Sequence, residues 1–227
     1  MNPSVFAMPG KALLGLTVVV LLAWGISNPS RARLPVPDPI VDARAAKTPG
    51  LQTAVLAGGC FWGIEAVFEH VKGVKDVVSG YAGGSAGSAH YDAVGSGSTG
   101  HAESVRIRFD PSVVSYGQLL KVFFSVAHDP TQLDRQGPDR GSQYRSEIFY
   151  GNAEQQRVAT AYIAQMTRAG TWGSKPIVTR IEPLKAFFPA ESYHQDFARL
   201  NPTHPYIVYN DAPKVQHLKQ RFPGLYR

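Results

Sequence analysis

The chain has 227 residues, 44% of them hydrophobic, 11% aromatic and 18% charged, which is enough apolar material to fill the core of one globular domain of mixed structure. Its formal net charge is +6, and residues 1–50 hold three of those charges, from Lys11, Arg31, Arg33, Arg44 and Lys47 against Asp38 and Asp42. No Lys/Arg stripe accompanies an RNA- or DNA-binding signature, so nucleic acid is excluded as a partner and the basic residues read as solvated surface.

Residues 12–26, ALLGLTVVVLLAWGI, are apolar or small and follow the single Lys11, the pattern of a secretory signal. Fifteen residues fall short of the roughly 20 that a spanning helix needs, although Trp24 could hold an uncleaved anchor at the interface. Residues 1–28 are expected to be a signal peptide or membrane anchor, and the Pro-rich residues 29–50 a linker. The protein is then exported, periplasmic or anchored on the outer side of the inner membrane, where its N-terminal segment touches the bilayer. Export makes the cysteine count informative, because exported cysteines usually pair. Cys60 is the only one, so it is inert and buried, linked to another chain, or reactive.

Thr53–Gly59 is a short apolar run ended by glycines, a buried strand. Ile64, Val67, Phe68 and Val71 follow at the spacing of an amphipathic helix. Cys60 therefore sits at a strand-to-helix junction, where unpaired N–H groups and the helix dipole favour an anion and lower a thiol toward thiolate. Ser79–Gly100 is rich in Gly and Ser and reads as a loop. Its GSGSTG matches a dinucleotide fingerprint, but HAESVRIRF after it alternates like a strand where a helix is required, so that reading fails.

Ser115 and Gln118 form a capping box ahead of the helix LLKVFFSVA. His128–Ser146 is a long polar loop of the kind that carries function. EIFY is a strand, Asn152 with Gln155 starts a helix running to about Gly170, Ile177–Pro183 is a strand, and Pro213–Phe222 is a final helix. The alternation argues for an α/β fold, a single-domain two-layer sandwich of sheet plus helices. The seven histidines are dispersed without ligand spacing, so no metal site is expected.

GGCFWG around Cys60, GHAE at Gly100–Glu103 and GPDRGSQYRS at Gly137–Ser146 together resemble the methionine sulfoxide reductase A family, over about Ala54–Asn201. The resemblance implies a ferredoxin-like sandwich, a reductase domain over residues 51–227, and reduction of the S-epimer of methionine sulfoxide, free or in oxidised proteins and peptides. The residue types suit that chemistry. A sulfoxide sulfur is electrophilic but oxide leaves poorly, so a sulfur nucleophile and an acid are both needed.

Cys60 supplies the nucleophile. Glu103 supplies the proton if burial raises its carboxyl from about 4.3. By resemblance Tyr91 and Tyr144 donate to the developing oxyanion, and Asp139 helps orient the site. Phe61 and Trp62 offer an apolar pocket for the substrate methyl group, and His194 matches a further substrate-binding position.

The chain departs from many members of that family in having no second cysteine to resolve a sulfenic acid. It is expected to bind no cofactor and to be recycled by an external thiol: a thioredoxin-like protein, a glutaredoxin or a small thiol. The alternative is a single-cysteine thiol peroxidase, which leaves Phe61, Trp62 and Glu103 without a purpose. A binding module for oxidised methionine would need neither the nucleophile nor the acid.

Overall fold

In the computed structural model the described residues are Met1, 35–43 and 50–227. The expected signal or anchor helix and most of the 29–50 linker lie outside them. Among the described residues no helix is long and apolar enough to cross a membrane.

Strands β1 (Gln52–Gly58), β2 (Val74–Ala82), β3 (Ala102–Phe109) and β6 (Ser146–Tyr150) lie in the sheet order β6-β1-β3-β2, each antiparallel to its neighbour. Read as first to fourth strand this is 4-1-3-2, the split βαβ arrangement of ferredoxin-like sandwiches, as the sequence led us to expect. Two short strands extend it, β7 (Arg180–Pro183) parallel to β6 and β8 (Phe187–Pro189) antiparallel to β2. A two-residue hairpin, β4 (Arg135–Gln136) with β5 (Asp139–Arg140), stands apart in the polar loop.

Helices α1 (Phe61–Glu69), α3 (Tyr116–Val122) and α4 (Ala153–Arg168) pack on one face of the sheet. β1 sends Ala54 and Leu56 into that layer, while Val55 and Ala57 join a small cluster on the opposite face with Ala82, Ala102 and Phe149. Strand alternation thus divides β1 between two apolar environments, as a central strand requires. Ile64, Val67 and Phe68 of the α1 stripe are wholly buried, and so is Val71, which falls just past the helix end and bridges to Tyr226. The Ser115–Gln118 capping box forms as expected, and Asn152 accepts from the Gln155 amide at the start of α4. From Phe123 to Ala127 the α3 helix widens into a π turn.

Two sequence expectations need correction. Ser79–Ala82 closes strand β2 instead of opening a loop, because paired neighbours on both sides supply its backbone partners whatever its own propensity. Within the remaining stretch Tyr91–Gly95 forms a short helix, α2. Residues 35–43 lie against α3 and α4: Val36 is buried, the Tyr162 hydroxyl donates to the Pro37 carbonyl at 2.6 Å, and Asp42 accepts from the Ser115 hydroxyl and from the Gly117 amide at 2.7 Å.

Candidate active site

β1 ends at Gly58, and two residues later α1 begins with Cys60 as its N-cap residue. The glycine between them is required twice over. Gly59 has φ +103°, a conformation that side chains resist, and a Cβ there would lie 2.6 Å from Gln136 Cβ. The chain therefore turns hard at the sheet end and presents Cys60 beside the start of β3. Leu56 pairs with Val105, so β1 runs toward that start, where Glu103 stands.

Glu103 is 3% exposed and its Oε2 accepts the backbone N–H of Phe61 at 3.1 Å. No basic group holds it down. Burial pushes its carboxyl up to about 8, with Asp139 adding to the rise and the Phe61 amide opposing it. At neutral pH Glu103 carries its proton. The carboxylic acid expected at this position is thus explained by desolvation.

The thiol differs from the expectation. Cys60 is 8% exposed, and burial raises it well above the ordinary thiol value, with Glu103 and Asp211 adding to the rise. The backbone N–H of Trp62, directed at the sulfur, and the ammonium of Lys214 act the other way. Desolvation outweighs the helix dipole here, and the Phe61 amide is spent on Glu103. The resting site is a thiol beside a carboxylic acid, both neutral.

Tyr91, at the start of α2, and Tyr144, in the 3₁₀ turn Ser142–Tyr144, are half-buried, and both phenols are raised by burial first and then by Glu103. They remain protonated donors at physiological pH. Asp139, in β5, is raised by burial and accepts from the Tyr206 hydroxyl. Tyr206 is a site residue that the sequence did not reveal. It belongs to the C-terminal segment, and its phenol is raised by burial and then by Cys60.

Trp62 is half-buried and stacks on Phe197, the first residue of the short helix α5 (Phe197–Leu200), at 3.8 Å and 11°, with Tyr206 edge-on at 5.9 Å. Phe61 is fully buried, 5.1 Å from the His194 ring and 5.9 Å from Tyr81, so it backs the site from within the core. His194 is buried too. Its Nδ1 accepts from Trp62 Nε1 at 3.2 Å, and its ring lies 4.4 Å from Tyr91. Burial lowers its imidazole, so a neutral His194 ties the tryptophan to the tyrosine. Glu191 accepts from the Tyr81 hydroxyl at 2.8 Å and the Tyr91 amide at 3.0 Å, setting where α2 starts.

Arg145, next to Tyr144, joins the two loops that flank the site. It donates to Glu147 at 2.6 Å and to the carbonyls of Gly100, His101 and Ser142. Only the tertiary contacts reveal this role, since in sequence it is one arginine among many. Among the described residues no three His, Cys, Asp or Glu side chains stand together as metal ligands.

An acid that stays protonated beside a sulfur nucleophile equips a thiol-dependent oxidoreductase, one that protonates an oxygen as sulfur attacks. Comparison with known proteins agrees. Residues 52–224 match the family model for peptide methionine sulfoxide reductase. A relative of that name in Mesorhizobium japonicum is 61% identical over 186 residues, 82% of this chain and 94% of the relative, and one in Synechocystis is 52% identical over 189 residues, 82% of this chain and 88% of the relative.

Among solved structures, the reduced form of Mxr1 from Saccharomyces cerevisiae is 34% identical with a TM-score of 0.60, over 70% of this chain and 92% of that one. Methionine sulfoxide reductase A of Corynebacterium diphtheriae is also 34% identical, with a TM-score of 0.59, over 70% and 78%. The chain belongs to the peptide methionine sulfoxide reductase family. It reduces methionine-S-sulfoxide to methionine and so repairs oxidised proteins.

Proposed function

We propose that Cys60 is the attacking sulfur, Glu103 the proton donor, and Tyr91 and Tyr144 the hydrogen-bond donors to the sulfoxide oxygen. The observation that carries this reading is the pairing of Cys60 with a carboxyl that burial keeps protonated to about pH 8. The Cys60 sulfur attacks the substrate sulfur while Glu103 gives its proton to the oxygen, forming an S–S bond and an S–OH group on the substrate sulfur. That adduct collapses with transfer of the hydroxyl to Cys60, releasing methionine and leaving a sulfenic acid. The substrate sulfur gains two electrons and Cys60 loses two; the thiol proton restores Glu103.

Trp62 forms the apolar wall against the substrate methyl group, with Phe61 and His194 holding it from behind. Asp139 and Tyr206 orient one another at the rim of the site. A preorganised pair of phenols stabilises charge at the oxygen better than water, because it needs no reorganisation as that charge develops.

Because the chain has one cysteine, the sulfenic acid has no intramolecular thiol partner. An external thiol attacks it, expels water and forms a mixed disulfide, which a second thiol resolves to release Cys60. A thioredoxin-like protein, a glutaredoxin or a small thiol fits this step. The apolar stretch 12–26 supports export or anchoring outside the inner membrane, with residues 51–227 as the reductase domain. The peroxidase alternative loses ground, since it needs an exposed thiolate and Cys60 is a buried thiol.

The test gives the purified chain separate S- and R-epimers of a methionine sulfoxide peptide with dithiothreitol. Turnover of the S-epimer alone is expected, and Cys60→Ser should abolish it without unfolding the protein. S-epimer turnover that survives in Cys60→Ser would remove Cys60 from the reaction.

A further inference from the structure

A second charged element stands against the turn that presents Cys60. The π turn Ile207–Asp211 runs directly into helix α6 (Ala212–Arg221), which packs along α1. Asp211 is 0% exposed, and Lys214, one turn into α6, donates to its Oδ1 at 3.1 Å. The other carboxylate oxygen, Oδ2, is buried without a hydrogen-bond partner.

The pair reaches α1 through a glycine. A Cβ on Gly63 would lie 2.1 Å from Asp211 Oδ1 and 2.7 Å from Lys214 Nζ, so any other residue there would expel the pair. Gly63 is the third residue of the helix that Cys60 caps, so the ammonium lies against the first turn of that helix.

Among the described residues, the other titratable groups facing Cys60 are acids: Glu103 from β3, Tyr91 from α2, Tyr144 from the 3₁₀ turn, and Tyr206 and Asp211 from the C-terminal segment. Among the described residues Lys214 is the cation that acts on Cys60, offsetting part of the larger rise that Asp211 causes there, and it acts on Asp139 and Asp211 as well. A burial cost of this size is normally avoided unless the charges are used or paired. Asp211 holds the ammonium, and Gly63 leaves room for it.

Resting on the reductase reading, we infer that Lys214, held in place by Asp211, is a positioning residue that supplies the positive charge opposite the Cys60 sulfur whenever that sulfur becomes anionic. This happens twice in a cycle. The first occasion is the loss of the thiol proton during attack on the sulfoxide. The second is the final recycling step, in which the reductant's second thiolate bonds to its first sulfur, and Cys60 departs with the electron pair of the broken S–S bond. A better-stabilised leaving thiolate departs faster. In a chain with no resolving cysteine, the C-terminal segment thus contributes a charge to the site instead of a second sulfur.

The test is the pH dependence of Cys60 alkylation by iodoacetamide in the full chain, for wild type, Lys214→Met, Lys214→Gln and Lys214→Arg, with a thermal melt on each. Only the thiolate reacts, so the midpoint reports its stability. Lys214→Met and Lys214→Gln should raise the midpoint by about one unit and slow alkylation near neutrality about tenfold, while Lys214→Arg should stay close to wild type. Wild-type midpoints in both neutral variants, with melts unchanged, would overturn the inference. So would an arginine variant that behaves like the methionine one, since that would leave Lys214 a packing role only. Failure of the reductase reading looks different: wild type would then reduce neither epimer, whatever the alkylation shows.

Discussion

Two buried carboxyl groups stand on strands flanking β1, and they meet opposite fates. Glu103 on β3 and Glu147 on β6 are each 3% exposed. Burial raises both. At Glu147 the guanidinium of Arg145, 2.6 Å away, opposes that rise, whereas Glu103 has a single backbone amide and is carried up to about 8. The fold therefore makes one carboxylate into half of a structural staple and keeps the other as an acid with a proton to give. Equal burial with different neighbours separates structure from chemistry.

That contrast can be broken most forcefully at the staple. Arg145→Met leaves Glu147 buried without its cation and frees the Gly100, His101 and Ser142 carbonyls. It should lower unfolding stability by about 3–5 kcal/mol in urea titrations. A loss under about 1 kcal/mol would mean that the staple is already solvated in the folded protein.

Glu103 makes the opposite demand, on pH. Between its ordinary value of about 4.3 and about 8, the folded chain binds a proton at Glu103 that the unfolded chain has released. This contribution is thus fully present below the ordinary value and lost as pH rises through about 8. The whole change should be on the order of 5 kcal/mol, read as the difference between wild type and Glu103→Gln across that range. A flat difference would put a charged Glu103 in the resting site. Glu65, also raised to about 8, titrates in the same direction in both proteins and so cancels from that difference.

The same Glu103→Gln variant should slow single-turnover reduction of the S-epimer by about a hundredfold while retaining some rate, because an amide still donates a hydrogen bond. An unchanged first-turnover rate at every pH would remove Glu103 as the acid. The smallest expected effect is at Asp42, a hydrogen-bond acceptor at the start of α3. Asp42→Ala removes the acceptor for the Ser115 hydroxyl and Gly117 amide and should cost about 1 kcal/mol of stability, leaving turnover untouched.

How much was legible beforehand follows the range of the interactions. The α1 stripe, the Ser115–Gln118 box and the Asn152 cap are local, made by residues within two helical turns, and each was readable from spacing alone. β8 and the end of β2 were not, because their hydrogen bonds come from strands distant in the chain. The site divides the same way. Cys60, Glu103, Tyr91, Tyr144 and Asp139 stand in short motifs that survive as words in the sequence. Tyr206, Asp211, Lys214 and Glu191 stand in no such motif: the final helix was readable, but the partners of these side chains are set only when the C-terminal segment packs back on α1, β2 and α2.

The sequence by itself determined that this is an α/β chain of the reductase family with a single cysteine, and it singled out Cys60 and Glu103 as the nucleophile and acid to be tested, because residue identity and short-range spacing suffice for those statements. The ionisation of the site was decided only by tertiary structure. A helix N-terminus promised a thiolate, yet the resting group is a thiol, since proton affinity depends on solvent exclusion and on charges from three other elements. Burial and distant neighbours set that balance, and neither exists until the chain has folded.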